Sequence, residues 1–143
     1  MKHISVMKPL FTALVLTACT QYALAAPGSL PPVQHQGDAS YLSGGIGLGE
    51  STAIKDAMHQ YPLTLEFAGK TNSGNVYLAD IQVEVSDMQG HTILRTTTTG
   101  PFLLASLPDG KYRVKASYKG KDEFRDVHIT PSAHIHEVFL WSM

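Results

Sequence analysis

Apolar and polar residues alternate most strictly toward the carboxyl-terminal end of the chain. Tyr112, Val114, Ala116 and Tyr118 occupy one parity, and Arg113, Lys115, Ser117 and Lys119 occupy the other. Successive side chains of a strand point to opposite faces, so this segment predicts a half-buried antiparallel strand. Before it, Pro108-Asp109-Gly110 supplies a preset φ, a side chain that bonds its own backbone and a residue free to take positive φ. The apolar run Phe102 to Leu107 lies just upstream, and together they predict a hairpin. Leu63, Leu65 and Phe67 alternate with Thr64 and Glu66, and Ile81, Val83 and Val85 alternate with Gln82, Glu84 and Ser86. His91 to Thr97 is β-prone, with Ile93 as its expected core contact. Val127 and Ile129 mark a strand over 125–130, and His134 to Trp141 supplies the last. Turns are expected at Asp87-Met88-Gln89-Gly90, Lys119-Gly120-Lys121-Asp122 and Pro131-Ser132-Ala133, and a polar loop over 69–74. Seven short strands, broken by turn signals about every eight to twelve residues, predict a mostly β, seven-stranded antiparallel β-sandwich.

Ahead of the strands the period changes. Ile54, Ala57, Met58 and Tyr61 are spaced i, i+3, i+4, i+7, which predicts one short amphipathic helix capped by Ser51 and stopped by Pro62. So short a helix is marginal alone, so it is expected to dock on the sheet. Residues 43–62 therefore read as a glycine-rich loop, Ser43 to Gly49, and this helix. Residues 26–42, rich in Pro, Gly and polar side chains, read as a flexible linker. Residues 63–143 read as the sandwich domain.

The first 25 residues have the layout of a secretory signal. Lys2 and Lys8 precede the apolar run Leu10 to Ala18, and Ala23-Leu24-Ala25 forms a small-x-small cleavage site with Ala26 as the first mature residue. The run is shorter than the roughly 20 residues a membrane span needs. Leu16-Thr17-Ala18-Cys19 resembles the lipobox of bacterial lipoproteins, which implies cleavage before Cys19 and a lipid on its thiol. Thr20 rather than an aspartate follows, which in that family implies the outer membrane. Cys19 is the single cysteine, so cleavage after Ala25 instead leaves a chain without thiol or disulfide chemistry. Either route exports the protein, to the periplasm or to the outer membrane as a lipoprotein, with lipid as its one attachment to a membrane.

Composition narrows the function classes. With 143 residues, 43% of them hydrophobic and 16% charged, the chain is globular, and its net charge of -1 offers no basic stripe for nucleic acid. No Gly-x-Ser-x-Gly elbow is present. Asp122, Glu123 and Asp126 lie among Lys119, Lys121 and Arg125, which reads as a mixed solvated surface. Thr96 to Thr99 reads as ordinary strand chemistry whose hydroxyls line a polar face.

With the strands placed, the pattern over roughly residues 63–141 resembles the carboxypeptidase regulatory-like domain. The likeness rests on Ala79-Asp80-Ile81-Gln82-Val83-Glu84-Val85, on Asp87-Met88-Gln89-Gly90, on Gly100 with Phe102 and Leu104, and on Leu107-Pro108-Asp109-Gly110-Lys111-Tyr112 with Val114. That family usually has Asp-x-x-Gly where Thr98-Thr99-Gly100-Pro101 stands here. The resemblance implies a transthyretin-like (prealbumin-like) sandwich and a non-catalytic binding or accessory role without a cofactor. As a whole the chain looks like small exported proteobacterial proteins of unknown function. The 5-hydroxyisourate hydrolases share the architecture, but their terminal Tyr-Arg-Gly-Ser is replaced here by Phe139-Leu140-Trp141-Ser142-Met143.

Three candidate chemistries remain. His134 and His136 stand at i and i+2, the spacing at which two strand side chains share a face and one metal ion, and His128 on the preceding strand is a possible third ligand for copper or zinc. The segment Gly45-Ile46-Gly47-Leu48-Gly49 opens a helix but lacks the spacing and the Lys-Ser/Thr of a phosphate loop, and reads as a turn or a partner-binding loop. Exposed sheet edges of a small sandwich invite a second copy, so a homodimer through an edge is expected. The principal expectation is a binding module for an envelope protein or a glycan such as peptidoglycan. A small metal-binding protein and a hydrolase with an unrecognised site are the alternatives.

Overall fold

The period-2 segments form strands, and the described residues hold ten strands where seven were expected. The computed structural model describes residues 28–143; the secretory signal expected over 1–25 and the lipid attachment expected at Cys19 lie outside the described residues. The elements are β1 (Gln34–Gln36), β2 (Ala39–Gly44), α1 (Leu48–Ala57) with a 3-10 turn (Met58–Gln60), β3 (Leu63–Thr71), β4 (Gly74–Tyr77), β5 (Gln82–Asp87), β6 (Thr92–Thr97), β7 (Phe102–Ser106), β8 (Gly110–Tyr118), β9 (Lys121–Ile129) and β10 (Ile135–Ser142). Two sheets result. One runs β1-β2-β7-β3-β10 with β4 added beside β3, and the other runs β6-β5-β8-β9. Neighbours are antiparallel except β10, which lies parallel to β3 from Ile135↔Leu63 to Ser142↔Lys70.

The inward residues of both sheets share one core, an arrangement that fits a β-sandwich. Leu63, Leu65, Phe67, Leu103, Phe139 and Trp141 of the first sheet meet Val83, Val85, Leu94, Val114, Ala116, Val127 and Ile129 of the second. Phe67 stacks on Phe139 and Trp141, with centroids 5.6 and 6.4 Å away.

Four expectations need correction. Part of the linker is sheet: within residues 26–42, β1 and the start of β2 are strands, and Ala39, Tyr41 and Leu42 are buried. Strand β2 is covered on both faces, by the sandwich core at Tyr41 and by the helix at Leu42, so it shows no apolar/polar alternation. The expected loop over 69–74 is mostly strand, with β3 and β4 pairing at Thr71↔Gly74. Phe102–Ser106 and Gly110–Tyr118 are not a hairpin. Strand β7 pairs with β2 and β3, and β8 pairs with β5 and β9, so the Pro108-Asp109-Gly110 turn carries the chain from one sheet to the other. On β6 the fully buried core contact is Leu94, opposite Val85, while Ile93, the extra residue at the bulge opposite Val85/Ser86, packs against the same core only partly buried.

The helix docks as its stripe predicts. Ile54 and Ala57, with Met58 and Tyr61 beside them, pack on Leu42, Phe102 and Leu104, forming a second small core on the outside of β2 and β7. Its start differs, because Gly47 (φ 87°) rather than Ser51 is the N-cap.

Side chains stitch both open seams of the sandwich. On one side the Gln36 amide donates to the Arg95 carbonyl at 2.7 Å and accepts from the Arg95 N–H at 3.0 Å, occupying the outward backbone groups of Arg95 on edge strand β6. On the other, Arg125 lies 4.9 Å over the Phe139 ring and donates to the Val138 carbonyl, and Trp141 Nε1 donates to the Lys121 carbonyl at 3.0 Å. An unpaired edge recruits another strand. Gln36→Ala is therefore expected to increase self-association of the protein at high concentration. Sedimentation velocity profiles identical to those of the parent would show that Gln36 does not guard this edge.

Candidate binding face

The outward residues of the four-stranded sheet form cross-strand rows, because directly opposed residues share a face. The central row is Arg95–Glu84–Lys115–Phe124, from β6 through β5 and β8 to β9. The adjacent rows are Ser86–Arg113–Asp126 and Thr97–Gln82–Ser117–Asp122. Two open hollows lie on this face. One of about 400 Å³ is bounded by Glu84, Asp87, Met88, Arg113, Lys115 and Phe124, and one of about 350 Å³ by Gln82, Arg95, Thr97, Lys115 and Ser117. They meet at Glu84 and Lys115, which line both.

Most charges here are engaged by a neighbour. Arg95 holds Glu84 through Nε and Nη2 at 3.1 and 2.8 Å. Arg113 holds Asp126 through both carboxylate oxygens, Nε donating to Oδ1 at 2.8 Å and Nη2 to Oδ2 at 3.2 Å. The Arg113 hydrogen bond, helped by its charge, holds the Asp126 carboxyl below its usual range against the opposing effect of burial, so this pair stays ionised at neutral pH. At the rim, burial raises the Asp87 carboxyl, but hydrogen bonds from the His91 amide and ring and the Gln89 amide outweigh it and lower it overall. Ser117 bonds Asp122. Lys115 has no acid within ion-pairing distance among the described residues, although it stands at the centre of the face. Beside it Phe124 is 51% exposed, a large apolar ring left uncovered on a polar face.

The three histidines do not converge. His136 lies outside the first sheet with Nε2 2.8 Å from Glu66 Oε2. His134 precedes β10, with Nδ1 3.4 Å from the Tyr61 carbonyl. His128 sits outside the opposite sheet, across from Lys111. Among the described residues no group of three or more His, Cys, Asp or Glu is placed to hold a metal. In the glycine-rich loop the Gly45 N–H, which an anion cradle would need free, donates to Glu50 Oε1 at 2.7 Å.

Phe124 and Arg95 are the residues of this face that sequence reasoning missed. The polar parity of Arg113, Lys115 and Ser117 marks the face, but which residues oppose them depends on pairing across strands. No protein-family model matches the chain, and a search of curated proteins returns no match.

Proposed function

We propose that this chain is a non-catalytic, exported binding module of the cell envelope, with a transthyretin-like sandwich of the carboxypeptidase regulatory-like kind, and that it takes a carboxylate-bearing glycan on the outer face of β6-β5-β8-β9. The observation that carries the reading is Lys115, a cation without an acid partner where two open hollows meet. Around it Gln82, Thr97 and Ser117 offer short polar groups suited to sugar hydroxyls, and Phe124 offers a ring against which a sugar face packs. The frame is rigid, since each of these residues sits on a strand and each flanking arginine is fixed by two hydrogen bonds to a carboxylate.

The test is cosedimentation of the exported protein with purified peptidoglycan sacculi. A hydrogen bond to a charged group contributes about 1.5–3 kcal/mol, so Lys115→Ala is expected to weaken binding by about tenfold or more. Lys70→Ala, on the first sheet, is expected to leave it unchanged. Equal binding by both variants places recognition elsewhere on the molecule. No binding by the parent removes this glycan class and leaves an envelope protein as the partner to seek.

A further inference from the structure

The glycine-rich loop presents apolar side chains that nothing in the domain covers. Leu48 is 86% exposed and Ile46 is 66% exposed. They are presented by a braced loop. Gly45 is tied to Glu50, Ser51 N–H donates to the Gly47 carbonyl at 3.1 Å, and Gly45 packs against the Phe102 ring with no room for a side chain. The entry segment runs alongside, with Pro31 against Gly44 and Gly28 beside the Gly49 carbonyl. Leu30, between them, is also exposed, at 41%. Both stretches are uncharged, Gly28 to Gln34 and Gly44 to Gly49, and the adjacent Glu50 carboxylate is turned back onto the loop.

The position of this tip on the chain selects its occupant. Eight residues, 20–27, separate Cys19 from Gly28, a tether that reaches at most about 30 Å when fully extended. Gly28 itself lies against the loop. A lipid on Cys19 therefore holds this end of the domain next to the bilayer surface. We propose that Ile46, Leu48 and Leu30 form a docking tip that seats in the lipid surface to which Cys19 anchors the chain, fixing the orientation of the domain; this rests on the lipoprotein reading of Cys19. Apolar side chains flanked by uncharged backbone suit the interfacial layer of a membrane, where short insertions add to a single lipid anchor.

The experiment uses the full chain processed in a bacterial host and reconstituted into phosphatidylethanolamine/phosphatidylglycerol vesicles, with an environment-sensitive fluorophore on Ile46→Cys or Leu48→Cys. Ser132→Cys is the control, because its turn precedes Ile135, which opposes Leu63 and lies away from the Gly44↔Phe102 end of the sheet. Vesicle flotation reads the anchor, and the emission shift reads the docking. The expected result is flotation of all three, with a blue shift at 46 and 48 and none at 132. Flotation without a shift at 46 and 48 overturns the docking while leaving the anchor intact. Failure to float removes the anchor and the proposal with it. A shift that appears only in native membranes, not in lipid vesicles, overturns the lipid occupant in favour of a membrane protein.

Discussion

Phe67→Ala is expected to remove about 4 kcal/mol of stability and to lower the melting temperature by roughly 15 °C. Phe67 is fully buried at the middle of β3, where its ring stacks on Phe139 and Trp141 of the parallel strand β10. Truncation forfeits the transfer energy of the ring and leaves a void that two large aromatics cannot easily fill, since Trp141 is held in place by its own bond to the Lys121 carbonyl. A domain of this size has about 5–15 kcal/mol in total, so the variant is driven toward the unfolding threshold without changing any residue of the candidate face. Trp141, the single tryptophan, reports the change directly in urea titrations followed by fluorescence. Phe124→Ala is the comparison. That ring is half exposed on the outer face, so its loss is expected to cost less than about 1 kcal/mol while weakening the glycan binding proposed for this face. Equal midpoints for the two variants would contradict the placement of Phe67 at the centre of the core.

The difference between those two phenylalanines shows what was legible in the sequence. Strands with one wet face announce themselves, and β5 and β8 follow their parity residue by residue, whereas β3 turns Leu63, Leu65 and Phe67 into the core but has Thr64 buried on its other face. Strands β2 and β7 are covered by the sandwich on one side and by α1 on the other. Their alternation is erased, so β2 read as linker and β7 read as half of a hairpin. Pairing between sheets is a property of the whole fold. Nothing local to Pro108-Asp109-Gly110 says that the chain crosses to the opposite sheet there.

The candidate face follows the same logic. Lys115 was legible as an outward residue. Its importance comes from Arg95 taking Glu84 and Asp126 taking Arg113, pairings between residues 11 and 13 positions apart. The histidine spacing was equally visible, but a strand places His136 beside Glu66, 70 positions away, and sends His128 to the other sheet. Spacing specifies a shared face; it does not specify which neighbour arrives there first.

Gly100→Ala is expected to be strongly destabilising, costing about 3 kcal/mol, the upper end of what overpacking incurs. Gly100 is buried in the turn between β6 and β7. A Cβ there would fall on the backbone of Gly44, against its carbonyl carbon, carbonyl oxygen and Cα. No flexible side chain is available to move aside. The surrounding bonds hold both backbones in place. Thr99 N–H donates to Ser43 Oγ at 3.0 Å, Thr99 Oγ1 donates to the Ser43 carbonyl at 2.9 Å, and Phe67 N–H donates to the Pro101 carbonyl at 2.9 Å. Relief therefore requires β2 to move away from the turn, carrying with it the braced loop at Gly45 and the docked helix. Amide exchange is the discriminating measurement. The Thr99 and Phe67 amides are expected to lose protection first, together with the Gly45 amide that Glu50 accepts, whereas amides of β8 retain theirs until global unfolding. Uniform loss of protection would mean that the two sheets unfold as one cooperative unit, and unchanged protection with an unchanged urea midpoint would contradict the close approach of Gly100 to Gly44.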